Sequence, residues 1–152
     1  MTRAYIGLGA NLGDRQATIE RAVELLRAAE GVELLAVSSL LETDPVGYED
    51  QPRFLNGAAA VETSLPAGEL LGVLLGIERQ LGRTREGPRF GPRLIDLDLL
   101  VYGDVQVDEP GLTVPHPRLH ERRFALEPLA EVAPGLLVAG RGPVEELLRG
   151  LH

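Results

Sequence analysis

Residues 94–102, Leu-Ile-Asp-Leu-Asp-Leu-Leu-Val-Tyr, constrain this chain more than any other segment. The run is apolar except for two aspartates and is bounded by Pro92 and Gly103, so it reads as a strand. Side chains alternate between the faces of a strand. Ile95, Leu97, Leu99 and Val101 are therefore expected on one face, and Asp96 and Asp98 on the other. Aspartate is disfavoured inside strands, and two on one face repel each other. Their spacing along the strand is about 7 Å, close enough for both to lean toward one cation. Mg²⁺ is commonly held by one or two carboxylates, with phosphate oxygens and waters completing the shell. The plainer reading is that both acids cap loops or face water on an edge strand.

The preceding segment supplies the opposite charge. Arg79, Arg83, Arg85, Arg89 and Arg93 fall within fifteen residues, opposed there only by Glu86, in a chain of net charge −8. Arginine presents a planar fork of donors that matches phosphate oxygens. Gly87, Pro88, Gly91 and Pro92 disfavour helix and strand. A basic loop beside a carboxylate pair is expected to act as a lid over a nucleotide. The bland alternative is a solvated basic surface.

Composition excludes several classes. With 152 residues, a single domain over 1–152 is expected. No cysteine is present, so disulfides and thiolate zinc sites are ruled out. All fifteen basic side chains are arginine, which removes any Schiff-base or P-loop lysine. A pI near 4.9 argues against general nucleic-acid binding. The first residues lack a signal-peptide pattern, and no apolar run approaches a membrane span. A cytoplasmic monomer, without nucleic-acid or membrane partners, is the expectation.

The order of elements predicts the fold. A strand at 5–8 precedes a helix at 14–30, capped by Asp14 and stopped at Gly31. A β-rich run covers 32–42, a punctuated loop 43–52, and a strand 54–63. A second helix covers 66–81, with Pro66 in its first turn. The aspartate strand follows. This βαββαβ order predicts an α+β, ferredoxin-like fold: an antiparallel sheet with two helices on one face, plus a C-terminal extension. The extension is expected to carry a short helix near 124–132 and a final amphipathic turn at 143–151.

Other motifs are weaker. Gly7, Gly9 and Gly13 resemble a dinucleotide-binding turn, but the spacing is wrong, and a tight strand-to-helix turn is the better reading. Phe54 and Asn56 are expected on one strand face, where a ring and an amide can read a flat heterocycle. His116 stands between two prolines, with Arg118, Arg122 and Arg123 after it. It could donate to phosphate or move a proton. Glu78, late on the second helix, reads locally as a surface residue.

Taken together, these stretches resemble the 6-hydroxymethyl-7,8-dihydropterin pyrophosphokinases of folate synthesis. The resemblance runs from AYIGLGANLGD through FLNGAAAVET and GPRLIDLDLL to LTVPHPRLHERRF. It implies transfer of pyrophosphate from the co-substrate ATP to the pterin hydroxymethyl group, with AMP released. It implies two Mg²⁺ ions on Asp96 and Asp98, with Arg83 and Arg93 also catalytic. Glu78, Arg85, Arg89, Thr113, His116 and Arg122 would lie on the ATP side. Phe54 and Phe124 would sandwich the pterin, and Asn56 with Thr43, Asp44, Pro45 and Val46 would bind its edge. Phe54 stands where the family often has tyrosine, Phe90 where it often has tryptophan, Leu75 where some members have glutamine, and Gly111 where some have arginine. Two competing readings are a kinase working through phosphohistidine at His116 and a ferredoxin-like RNA-binding module. The chain lacks the strand motif of the latter.

Overall fold

The computed structural model describes residues 1–44, 52–82 and 95–151. The central sheet is antiparallel throughout. Its strands are β1 (Thr2–Ala10), β2 (Val32–Val37), β3 (Leu41–Thr43), β4 (Phe54–Thr63) and β5 (Asp96–Tyr102). The order is β2-β4-β1-β5, with β3 added alongside β4. The β-rich run at 32–42 is thus two strands, broken around Ser38. The Ser38 hydroxyl accepts the Ala58 N–H at 2.8 Å.

Helix α1 (Arg15–Ala28) links β1 to β2, and α2 (Ala67–Gln80) links β4 to β5. Asp14 caps α1 by accepting the Ala17 N–H at 3.1 Å. Gly31 follows the helix with φ 82, a conformation that favours glycine. Ile19, Ala22, Val23 and Leu26 of α1 and Leu70, Leu74 and Ile77 of α2 recur at helical spacing. They pack on Ala4, Ile6, Leu8, Ala59, Val61, Leu97 and Leu99 to form one core.

The opposite face carries a second core. Tyr5, Ala60, Leu100 and Val101 meet Leu126 and Leu129 of α3 (Arg123–Val132) and Val144 of α4 (Val144–Arg149). Between β5 and α3 lie a hairpin, β6 (Val107–Glu109) with β7 (Leu112–Val114), and a short 3₁₀ turn at Leu119–Glu121. A two-stranded ribbon, β8 (Leu137–Val138) with β9 (Gly142–Pro143), precedes α4. The helices therefore cover both faces of the sheet, where the helical pattern alone placed two on one side.

Two expectations from the sequence need correction. Val101 does not join Ile95, Leu97 and Leu99. The β1–β5 register slips between Tyr5 and Ile6, so Tyr5 pairs with Val101 while Ile6 pairs with Leu99. Such a bulge breaks the alternation, and Leu100 and Val101 both enter the second core. Nor do Gly7 and Gly9 form a turn, since β1 runs through both to Ala10. Among these glycines only Gly13, with φ 63, lies in the turn before α1.

Leu126 is fully buried at the centre of the second core. Leu126→Ala is expected to lower the unfolding free energy by about 2–5 kcal/mol. Urea denaturation with an unchanged m-value checks this.

Candidate active site

Register places the candidate groups in rows across the sheet. Gly9 pairs with Asn56 on one side and Asp96 on the other. Gly7 likewise stands between Ala58 and Asp98. Paired residues share a face, so Phe54, Asn56, Asp96 and Asp98 all project to the face that carries the second core. The two glycines leave a strip of β1 without side chains between them. Sequence reading missed this, although glycines two apart in a strand signal close backbone approach.

The acidic side of the strip has its own supports. Among the described residues, β5 lies at the end of the sheet order and pairs only with β1. Its outer edge must find other hydrogen-bond partners. The Leu97 N–H donates to Glu78 Oε2 at 2.8 Å. The Leu100 carbonyl accepts the His116 N–H at 2.8 Å. Glu78 is only 3% exposed, so the surface placement expected of it is wrong. Its carboxylate reaches inward from the last turn of α2 and holds the residue that separates the two aspartates.

Arg122, at the N-cap of α3, faces the acids. Burial pulls its guanidinium below the usual arginine range; Asp98 opposes that shift, Arg118 adds to it, and Asp96 also opposes it. The guanidinium also stands over the Phe124 ring, 5.5 Å from its centroid, a distance suited to cation–π contact.

His116 lies after the cis Val114–Pro115 bond. Its Nδ1 accepts the Arg118 N–H at 3.2 Å, which leaves the imidazole proton on Nε2. Burial first, then Arg122 and Arg118, push its pKa down to about 4. The ring is therefore neutral at pH 7 and offers one N–H donor.

On the other side of the strip the group facing Gly9 is an amide. Asn56 is 7% exposed, and its Nδ2 donates to Thr43 Oγ1 at 2.6 Å. Nearby, Asn11 Nδ2 donates to the Pro52 carbonyl at 3.0 Å. Arg53 pairs with Asp44 at 3.1 Å, and Arg15 donates to the Arg53 carbonyl at 2.8 Å. Asn11 and Arg15 were not singled out in the sequence. Thr113 lies in the β6–β7 hairpin, where its hydroxyl donates to Asp108 at 3.3 Å. Pro45, Val46, Arg83, Arg85, Arg89 and Arg93 lie outside the described residues.

The donor set suits Mg²⁺ in one particular way. Among the described residues, no three or more His, Cys, Asp or Glu side chains gather into a metal cluster. Asp96 and Asp98 supply hard oxygens only, so further ligands must be waters or a phosphorylated ligand. That is how Mg²⁺ is usually bound at phosphoryl-transfer sites.

The chain is thus an α+β protein with an antiparallel sheet, a carboxylate pair on one face of it and an arginine facing that pair. Residues 5–134 match the family model for 7,8-dihydro-6-hydroxymethylpterin-pyrophosphokinase, and the chain belongs to this family of enzymes. It is 52% identical to the 2-amino-4-hydroxy-6-hydroxymethyldihydropteridine pyrophosphokinase of Bacillus subtilis, over 85% of this chain and 77% of that protein. The protein of the same description from Methylorubrum extorquens is 48% identical over 98% of this chain and 94% of its own. Among solved structures, Plasmodium falciparum HPPK-DHPS superposes with a TM-score of 0.75 at 14% identity. That match covers 97% of this chain and 45% of the other, and it bears on the fold alone.

Two outcomes test the supports. Glu78→Ala, which strands the Leu97 N–H, is expected to cost roughly 1–3 kcal/mol. Glu78→Gln keeps an acceptor and should cost less; thermal melts of both variants decide. For His116 the folded pKa lies below the unfolded value of 6.5, so the unfolded chain takes up the proton first. Its contribution to stability is present above about pH 6.5 and is lost as pH falls toward 4. Replacement by Gln should flatten that acid limb in denaturation curves taken from pH 7 to pH 4.

Proposed function

We propose that this chain catalyses transfer of the pyrophosphoryl group of ATP to 6-hydroxymethyl-7,8-dihydropterin. The observation that carries the reading is the row Asn56–Gly9–Asp96, which sets an amide and a carboxylate on one face of the sheet, on either side of β1. The amide suits the edge of a flat heterocycle, and the acids suit a metal–polyphosphate. Family membership supports the same assignment. The strand order and connections are read as ferredoxin-like, with residues 1–152 acting as one cytoplasmic, monomeric domain.

In this mechanism the pterin hydroxymethyl oxygen attacks the β-phosphorus of ATP. The bond between that phosphorus and the oxygen bridging to the α-phosphate breaks. AMP leaves with the bridging oxygen, and the hydroxyl proton passes to solvent. Asp96 and Asp98 would hold the two Mg²⁺ ions that accompany ATP, which supply charge neutralisation and a lowered hydroxyl pKa there. Arg122, with Arg83, Arg85, Arg89 and Arg93, would grip phosphate oxygens. His116 would donate its Nε2–H to one of them, with Thr113 and Glu78 on the same side. Phe54 and Phe124 would enclose the pterin ring, and Asn56 with the backbone at 43–46 would bind its edge. Most of the acceleration in such a site comes from positioning and charge stabilisation.

The test is AMP formation from ATP and Mg²⁺, with and without the pterin. AMP should require the pterin. Asp96→Ala should lower kcat/KM by about 10³-fold or more, by analogy with the loss of one essential charge in other phosphoryl transfers. Formation of ADP in place of AMP would overturn the assignment.

A further inference from the structure

We propose that Gly9 is a specificity-determining residue of the pterin subsite: its missing side chain lets the Asn56 amide lie over β1 as a fixed acceptor. This inference rests on the pterin reading above. A Cβ built on Gly9 would stand 2.9 Å from Asn56 Oδ1, closer than real Cβ contacts come. Apart from Gly9 itself and its two chain neighbours, no other atom of the described residues lies within 4 Å of that position. The contact is therefore with the amide and not with Asp96, although Gly9 pairs with both residues.

The amide has little freedom to retreat. Asn56 is buried, and Nδ2 is held by Thr43 Oγ1 at 2.6 Å. That bond turns Oδ1 toward Gly9 and the bare strip of backbone. An acceptor so fixed recognises an N–H donor on the rim of a flat ring. At Gly7 the strip is bounded by the Leu100 side chain, 3.4 Å from where a Cβ would stand, so the open stretch lies at Gly9. Asn56 and Asp96 are separated by two strand spacings, about 10 Å between backbones. A bicyclic heterocycle with a one-carbon arm can therefore lie across β1, its donor edge at Asn56 and its hydroxyl toward the acids. Glycine is otherwise a poor choice inside a strand, because it packs nothing and loses the most entropy on ordering.

A methyl at position 9 must displace Oδ1 or break the Thr43 bond. Loss of one such hydrogen bond corresponds to about a tenfold change in affinity. Pterin binding is measured by calorimetry on wild type, Gly9→Ala, Asn56→Ala and the double variant, together with KM for ATP and the melting temperature. Gly9→Ala is expected to weaken pterin binding about tenfold while KM for ATP changes less than about twofold. Adding Gly9→Ala to Asn56→Ala should weaken pterin binding no further, because the clash is gone. Unchanged pterin affinity in Gly9→Ala, or an equal loss in both backgrounds, would overturn the proposal. So would failure of the double variant to melt cooperatively, which would give the glycine a folding role only. If wild-type protein neither binds the pterin nor forms AMP, the pterin reading itself is wrong. Wild-type activity with an unaffected Gly9→Ala sinks the Gly9 inference alone.

Discussion

The hydrogen bond from the Leu97 N–H to the buried Glu78 carboxylate is the interaction on which the candidate site depends. A carboxylate inside the fold is costly unless it is bonded. An edge-strand N–H left without an acceptor is costly too. Here each group satisfies the other, at 2.8 Å. The bond ties α2 to β5 at the one residue between Asp96 and Asp98. Fixing the Leu97 backbone fixes where both aspartates leave the sheet. The His116 N–H makes a second tie to the same strand at Leu100, so the two halves of the candidate phosphate side are referenced to one backbone.

Core and site share a sheet face, and one irregularity divides them. Along β5 that face begins with Asp96 and Asp98 and continues as Leu100 and Val101 in the second core. The slip in register near Tyr5 turns an extra apolar side chain toward α3. Docking of Leu126 and Leu129 there sets the height of α3 above the sheet. The N-terminus of the same helix then carries Arg122 over the acids and Phe124 beside it. Placement of the cation thus follows from apolar packing further along the helix.

Much of this was legible in the sequence because it rests on short-range patterns. The strand at 54–63 and both long helices follow from periodicity and caps, and the shared face of Asp96 and Asp98 from alternation. The features that escaped depend on partners distant in sequence. The burial of Glu78 is decided by an N–H nineteen residues away. The inward turn of Val101 is decided by a bulge against Tyr5. Gly7 and Gly9 read as a turn because glycine marks turns far more often than strands, and only pairing with Asn56 and the aspartates reveals their use. The β6–β7 hairpin is too short to produce a clear alternation.

His116 shows how the surroundings narrow what a side chain can do. Phosphohistidine chemistry needs an imidazole nitrogen with a free lone pair facing the donor phosphate. Here the Nδ1 lone pair accepts the Arg118 N–H, and Nε2 carries the proton. Burial and two neighbouring arginines also disfavour the imidazolium form, so proton delivery near pH 7 is equally unfavourable. A neutral N–H donor held at one end by the backbone is what remains. Such a group can orient an anionic oxygen without adding charge beside Arg122, which is the part the proposed reading gives it.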